Sequence, residues 1–490
     1  MRRLWAGAAL AAALAAAGCG GGAGGGSIPE GASIAPASSI AFVSVKTDFS
    51  SAQWRQVAKL AGRFPGTPQL IAELKKQTNG LDFNRDVKPA LGPEVDLVWI
   101  DARNGGNDVV GLTKPDTKEK LTALLEKSRT KGEPKAFTVQ VGDWVAIADS
   151  QAKLDRFRTA SAGDKLADNK DFKRAFEQLE SDSSVRAWIS GELVQSAIDG
   201  GLVSGGAPPR LTHDIGDLLA LSGSAKAENN GASIELDGLI DPTPDPATFS
   251  PSLQDDVPAG ALLYVSTTSL DAPLKTILRL VGESRPKFKT QLRQVEGVLG
   301  ITLEGDIYPL LKGESALAVY PGTAQIPRVL FVQKVDDEQK AASLLRRFSA
   351  IAQLSGSIRA ETVQLEGESV EKLTFTGTRV TIYDGVAKGK VFVTNAANLA
   401  EQAISGPASS LGDDPLFRST RDAAGVPGKV AAFAFGDLEN GLPYVLGLAR
   451  QAGNAVPPEA FANTKPLHGA VAYLVKDGDA LRISGFQTIK

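Results

Sequence analysis

Few residues of this chain could do chemistry, and their spacing narrows the choice. Its 490 residues include two histidines, His213 and His468, one cysteine, Cys19, and one methionine, Met1. The histidines are far apart, and neither has the HExxH spacing that sets two imidazoles around a metal. Two SxxK strings, Ser150 to Lys153 and Ser284 to Lys287, have the spacing of a serine–lysine nucleophile pair. No SDN or KTG accompanies them, and Pro286 interrupts the second where a continuous helical turn is needed. The strings GxSxG and GxxxxGK[ST] are absent, and the one GxGxxG match, Gly20 to Gly25, lies inside the glycine run with no strand before it. Carboxylates are the only groups that recur in a pattern: Asp86, Pro89, Leu91 and Glu94 return at one constant offset as Asp306, Pro309, Leu311 and Glu314. Read as chemistry, Glu94 and Glu314 would be one binding acid per copy. Read as structure, each Asp caps a short helical turn, Pro enters it, and Glu opens the next strand; recurrence at equivalent places favours this reading. A hydrolase built on carboxylates alone would need acids converging at about 5–10 Å. The sequence therefore predicts no catalytic residue, no cofactor, no metal and no enzyme.

The cysteine carries a different kind of chemistry. Arg2 and Arg3 precede an uncharged Ala/Leu stretch, Leu4 to Ala17, and Ala16-Ala17-Gly18 supplies small residues for cleavage. This is a signal peptide over 1–18, too short for a bilayer core of about 30 Å. The string LAAAGC resembles the lipobox of bacterial lipoproteins, with Ala16 where that family usually has Leu. The resemblance implies a diacylglyceryl thioether on Cys19, cleavage before it, and anchoring to the outer side of the bacterial cell membrane; plain secretion is the alternative. With one cysteine no disulfide can form within the chain, and an acylated thiol is protected from oxidation. The glycines that follow read as a flexible tether over 19–37, giving an anchored body slack.

Hydrophobic residues make up 42% and charged residues 22%, with 56 acids against 53 bases. That is a globular balance, and a net charge of -3 with mixed signs excludes a nucleic-acid footprint. No later segment is apolar over eighteen residues, so the expected partners are the membrane, reached through the lipid, and an envelope protein or apolar ligand.

The elements that hold these residues occur twice along the chain. DVKPALGPEVDLVWI answers DIYPLLKGESALAVY, and PASSIAFVSVKTDFS answers PAGALLYVSTTSLDA. Phe172, Gly191 and Leu193 align with Phe417, Gly436 and Leu438 at a larger offset, so the second copy holds an insertion, read as a hairpin near Leu373 to Tyr383. The domains follow: repeat 1 over 38–241, a Pro-rich linker over 242–256 (TPDPATFSP), and repeat 2 over 257–490. Period-two stretches such as SIAFVSV alternate with amphipathic ones ending at glycines such as Gly80 and Gly132. The fold class is α+β, two tandem copies of one domain, each a largely antiparallel sheet with helices packed on it. Trp99, Trp144 and Trp188 are matched by Val319, Phe392 and Phe433, which points to core packing.

The stretches AFVSVKTDFSSAQW, RFPG and DVKPALGPEVDLVWI resemble a bacterial envelope family known as domain of unknown function 3352. The resemblance implies an envelope location and brings no catalytic residues. Three function classes follow: an anchored binding or scaffolding module, a carrier of a lipid or other apolar ligand, and a carboxylate-based hydrolase.

Overall fold

Alternation sets the first strand: in Ala41–Lys46, Phe42 and Ser44 are buried on one face while Val43 sits half-buried on the other. The computed structural model describes residues 27–77, 82–101, 108–128, 136–204, 216–322, 326–354, 356–378 and 380–490. The signal peptide, Cys19, His213, Gly80 and Gly132 lie outside the described residues.

In chain order the first half runs β1 (Ala41–Lys46), α1 (Ala52–Ala61), α2 (Thr67–Gln77), β2 (Glu94–Trp99), β3 (Val109–Thr113), α3 (Lys118–Ser128), β4 (Phe137–Val141) and β5 (Trp144–Ala148). It continues through α4 (Gln151–Ala160), α5 (Lys170–Glu177), β6 (Val185–Ser190), α6 (Gly191–Ser204), β7 (Asp217–Glu228) and β8 (Gly231–Asp241). The second half runs β9 (Leu263–Thr268), α7 (Asp271–Ser284), α8 (Pro286–Leu299), β10 (Glu314–Tyr320), β11 (Arg328–Lys334), α9 (Glu338–Leu354), β12 (Ile358–Leu365), β13 (Glu368–Phe375), β14 (Thr381–Ala387) and β15 (Lys390–Thr394). It closes with α10 (Ala397–Ser405), α11 (Pro415–Ala423), β16 (Ala432–Asp437), α12 (Leu438–Gln451), α13 (Pro458–Thr464), β17 (Leu467–Asp477) and β18 (Ala480–Ile489).

The architecture is α+β, and among the described residues 18 strands form one antiparallel sheet. In the first half the spatial order is β4, β5, β3, β2, β1, β6, β7, β8. The second half continues from β8 through β18, β17, β16, β9, β10, β11, β15, β14, β13 and β12. The last strands of the two halves meet at the centre, β8 against β18, from Gly231 opposite Thr488 to Leu239 opposite Ala480. Two separate sheets were the expectation from sequence; the β8–β18 ladder makes them one, because each would otherwise end in an unpaired strand.

Three boundaries move. The tether expected to run to residue 37 ends earlier: Glu30–Ser33 forms a 3-10 turn, and Ala32 and Ala35 are fully buried. Small residues are needed there, since a Cβ on Gly31 would stand 1.8 Å from Asp96 Oδ2. The linker also shortens. Phe249 bridges to Val430, and Leu253 and Val257 are fully buried in the second core. The extra strands of the second half are β12 and β13, turning at Glu366 and Gly367 with positive φ, while β14 with Tyr383 takes the place that β4 holds in the first half.

One face of the sheet carries both aromatic cores. Phe42, Phe172, Phe176 and Trp188 pack edge-to-face or stacked under α5, as do Tyr264, Phe417, Phe433 and Phe435 under α11. Each of these helices starts on a side-chain cap, Asn169 for α5 and Asp414 for α11, accepting from two backbone N–H groups. Trp144 and Trp188 are buried and Trp99 half-buried. In the ladders Trp188 faces Phe42 and Phe435 faces Tyr264, so Phe435 rather than Phe433 stands in the position of Trp188.

Candidate functional site

The repeated carboxylates come first, because they were the only recurring candidates. Asp306 accepts the Thr302 N–H at 2.8 Å, and Asp86 accepts the Asp82 N–H at 3.0 Å, each closing a π-helical turn. The Thr302 N–H holds the Asp306 carboxyl below its usual range. Glu314 accepts from the N–H groups of Ser252 and Leu253 at 2.9 and 3.0 Å, and from Lys334 at 2.9 Å. Burial would raise its pKa, but these donors outweigh it and hold the carboxyl low. Glu94 accepts the Gly31 N–H at 3.1 Å. Both glutamates thus clamp the 3-10 turn that opens their half, and the motif is structural in each half.

The remaining sequence candidates stay apart. Ser150 is the N-cap of α4, and Lys153 pairs with Asp149 at 2.9 Å. Helix α7 ends at Ser284 and α8 starts at Pro286, so the second SxxK string straddles a helix break. His468 lies on β17 with Nδ1 2.6 Å from Glu439. Among the described residues no group of three His, Cys, Asp or Glu is arranged to hold a metal ion.

What sequence reasoning missed is a buried row of charges on the core face. Directly opposite residues of antiparallel strands share a face, and the ladders line up Asp96, Ser44, Arg186, Ser224, Glu235 and Ser484 across six strands. All six are buried. Asp96 is wholly buried beside Glu94, and both effects, burial first, push its carboxyl well above the carboxylate range. Burial lowers the Arg186 guanidinium, which donates to the Ser27 carbonyl at 2.6 Å. One position along, Asp237 faces Arg482 across the seam between the halves. Arg482 donates to both oxygens of Asp237 at 2.8 and 3.1 Å, and to the Gln178 carbonyl at 2.9 Å. It also pairs with Asp477 at 2.6 Å, and Glu235 Oε1 lies 3.9 Å away. Burial pushes Glu235 up to about 7, against the pull of Arg482.

The other face of the sheet is apolar where the halves join. Val57 and Leu60 on the inner side of α1, Phe64 in the turn after it and Leu70 of α2 form one wall of a groove of about 340 Å³. Ala227, Ala232 and Ile489 make its floor, and Asn463 of α13 its far side. The groove therefore takes residues from both halves. Its walls are pinned by polar bonds at the rim: Gly66 N–H to Asn463 Oδ1 at 2.7 Å, Ala227 N–H to Gln53 Oε1 at 3.0 Å, and Arg63 to the Ile489 carbonyl. Along the same face Leu236 and Ile483 stand opposite each other across the seam, and both are exposed. Among the described residues no ionisable side chain lines the groove, which offers a binding surface.

An antiparallel sheet made of two halves, with an apolar groove and a buried ionic row on its opposite faces, defines an α+β protein. The chain belongs to the family described as "Protein of unknown function (DUF3352)", whose model matches residues 111–468 and so spans both halves. No curated protein matches it. A solved structure titled "Structure of crystal form III of TP0453" is similar at 10% identity, covering 50% of this chain and 95% of that one, with a TM-score of 0.24.

Proposed function

We propose that this chain is two copies of one domain, anchored through lipid on Cys19 to the outer side of a bacterial cell membrane. It acts there as a non-enzymatic binding module, and its ligand is an apolar chain such as a lipid acyl group. The single observation that carries the ligand reading is the seam groove, whose volume of about 340 Å³ falls in the range of small-molecule sites. Support for the duplication comes from the strand orders: each half places its first strand between its second and the one after its fifth helix, and ends in a long hairpin. The anchor and the groove fit together, because a tethered protein meets apolar chains at the bilayer.

The test uses the full chain in membranes with a long-chain fatty acid carrying a diazirine near its tail. After irradiation, label is expected on peptides containing Val57 to Leu70 and Ala232, and Ala232→Trp, which fills the floor, lowers it at least about tenfold. Label spread evenly over the surface and indifferent to Ala232→Trp would sink the carrier reading. Intact mass of the membrane-extracted protein checks the anchor separately: it is expected to begin at Cys19 with acyl chains attached, and any unmodified start elsewhere overturns it.

A further inference from the structure

We infer that the helical hairpins α1–α2 and α7–α8 form a docking surface for an anionic lipid bilayer, a contact that rests on neither the groove nor the Cys19 lipid. The two hairpins follow the first strand of their respective halves, so they occupy corresponding places in the fold. In a chain of net charge -3, residues 52–77 carry five bases, Arg55, Lys59, Arg63, Lys75 and Lys76, against the single acid Glu73. Residues 271–299 carry six bases against three acids. Two of those acids pair with two of those bases, Asp271 with Lys275 at 3.1 Å and Glu283 with Arg279 at 2.7 Å, which leaves Arg285, Lys287, Lys289 and Arg293 against Glu296. Lys287, Lys289 and Arg293 of α8 are all exposed, as are Arg55 and Lys59 of α1.

Charge is joined by exposed apolar side chains on the same hairpins. Val298 is 78% exposed, Ile277 52%, Val295 51% and Ile71 47%. Such side chains gain nothing in water and are buried when a helix rests at the headgroup boundary. Helix α8 packs on α7 and α9 at the periphery, which leaves its outer side free to meet a surface. The basic surplus decides the partner, because an anionic leaflet attracts each Lys or Arg near it and a neutral one does not.

The experiment uses the full-length Cys19→Ser chain, sedimented with vesicles of phosphatidylglycerol and phosphatidylcholine or of phosphatidylcholine alone. The leader contributes equally to every variant and cancels in the comparison. The parent is expected to prefer the anionic vesicles and to lose that preference as salt rises. The triple variant K287Q/K289Q/R293Q is expected to bind them on the order of 100-fold less tightly. A companion variant, R55Q/K59Q, weakens binding by a smaller factor, and Val298→Asp weakens it further than its one charge accounts for. Equal binding of parent and triple variant, or no preference for anionic vesicles, overturns the proposal; circular dichroism matching the parent excludes misfolding as the cause of any loss.

Discussion

The two halves of the sheet fill one row of positions with opposite chemistry. On the core face the first half has Asp96, Ser44, Arg186, Ser224 and Glu235 in line; the second half, read the same way from its edge, has Ala316, Ser266, Phe433, Tyr473 and Ser484. Only the serine of the first strand is kept. Glu94 and Glu314, by contrast, do the same job in both halves. A position that holds Arg in one half and Phe in the other cannot be charged because the backbone demands it. The clamp glutamates are what this fold needs twice; the ionic row is an addition to one half.

That contrast can be broken most forcefully at the seam. Arg482→Ala leaves Asp237 and Glu235 buried without their cation, and chemical denaturation is expected to show a loss of about 3–5 kcal/mol. Giving the first half the residues of the second, as D96A/R186F, should go the other way: unchanged stability or a gain of up to about 4 kcal/mol by the same measurement. A loss there would mean that the row supports the fold. The clamps sharpen the contrast from the other side. Glu314→Ala removes several charge-assisted bonds and is expected to cost about 2–3 kcal/mol, whereas Glu94→Ala, which gives up the Gly31 bond, costs about 1 kcal/mol. Equal losses would put the halves on the same footing.

Smaller effects follow from titration. Glu235 on the row and Asp384 on β14 are each pushed up to about 7, by burial first and in Asp384 then by Glu371. Unfolded, they titrate near 4. A carboxyl whose folded pKa is raised favours the native state in acid, and that stability is lost as pH rises from roughly 4 through 7. Thermal melts across this window should therefore show a falling contribution that Glu235→Gln and Asp384→Asn flatten; an unaltered slope would mean that neither group titrates there. The smallest effect is expected at His468→Gln, under about 1 kcal/mol, because the Glu439 it meets is half exposed.

Much of the fold was legible in the chain. Caps, turns and period-two strands mark most elements, and the recurrence of Asp86, Pro89 and Glu94 marks a short helical turn in each half, although each Asp sits inside that turn and reaches back four residues instead of capping it. The ionic row was hidden by an inversion of pattern. In ASIELDGLI the rule of apolar side chains inward would bury Ile234 and Leu236 and expose Glu235 and Asp237; in the structure Glu235 and Asp237 are buried and Leu236 is exposed. ALRISGF behaves likewise, with Arg482 buried and Ile483 exposed. The two inversions compensate only when paired, since Arg482 neutralises Asp237 and Leu236 lies beside Ile483, so neither strand could be read alone. The groove was equally out of reach, because Val57, Ala232 and Asn463 are distant in sequence and become neighbours through the seam.

The β8–β18 junction has a consequence for how the chain can be cut. A fragment ending at Asp241 would present β8, eleven residues long, with one side of its backbone unsatisfied, and a fragment beginning at Pro242 would present β18 in the same condition. Open edges of that length recruit whatever strand they meet, most readily another copy of themselves. During synthesis the first half must wait with this edge uncovered until β18, made more than two hundred residues later, arrives to close it. Removing Ala480–Ile489 from the finished protein would uncover the β8 edge again and return it to that vulnerable stage.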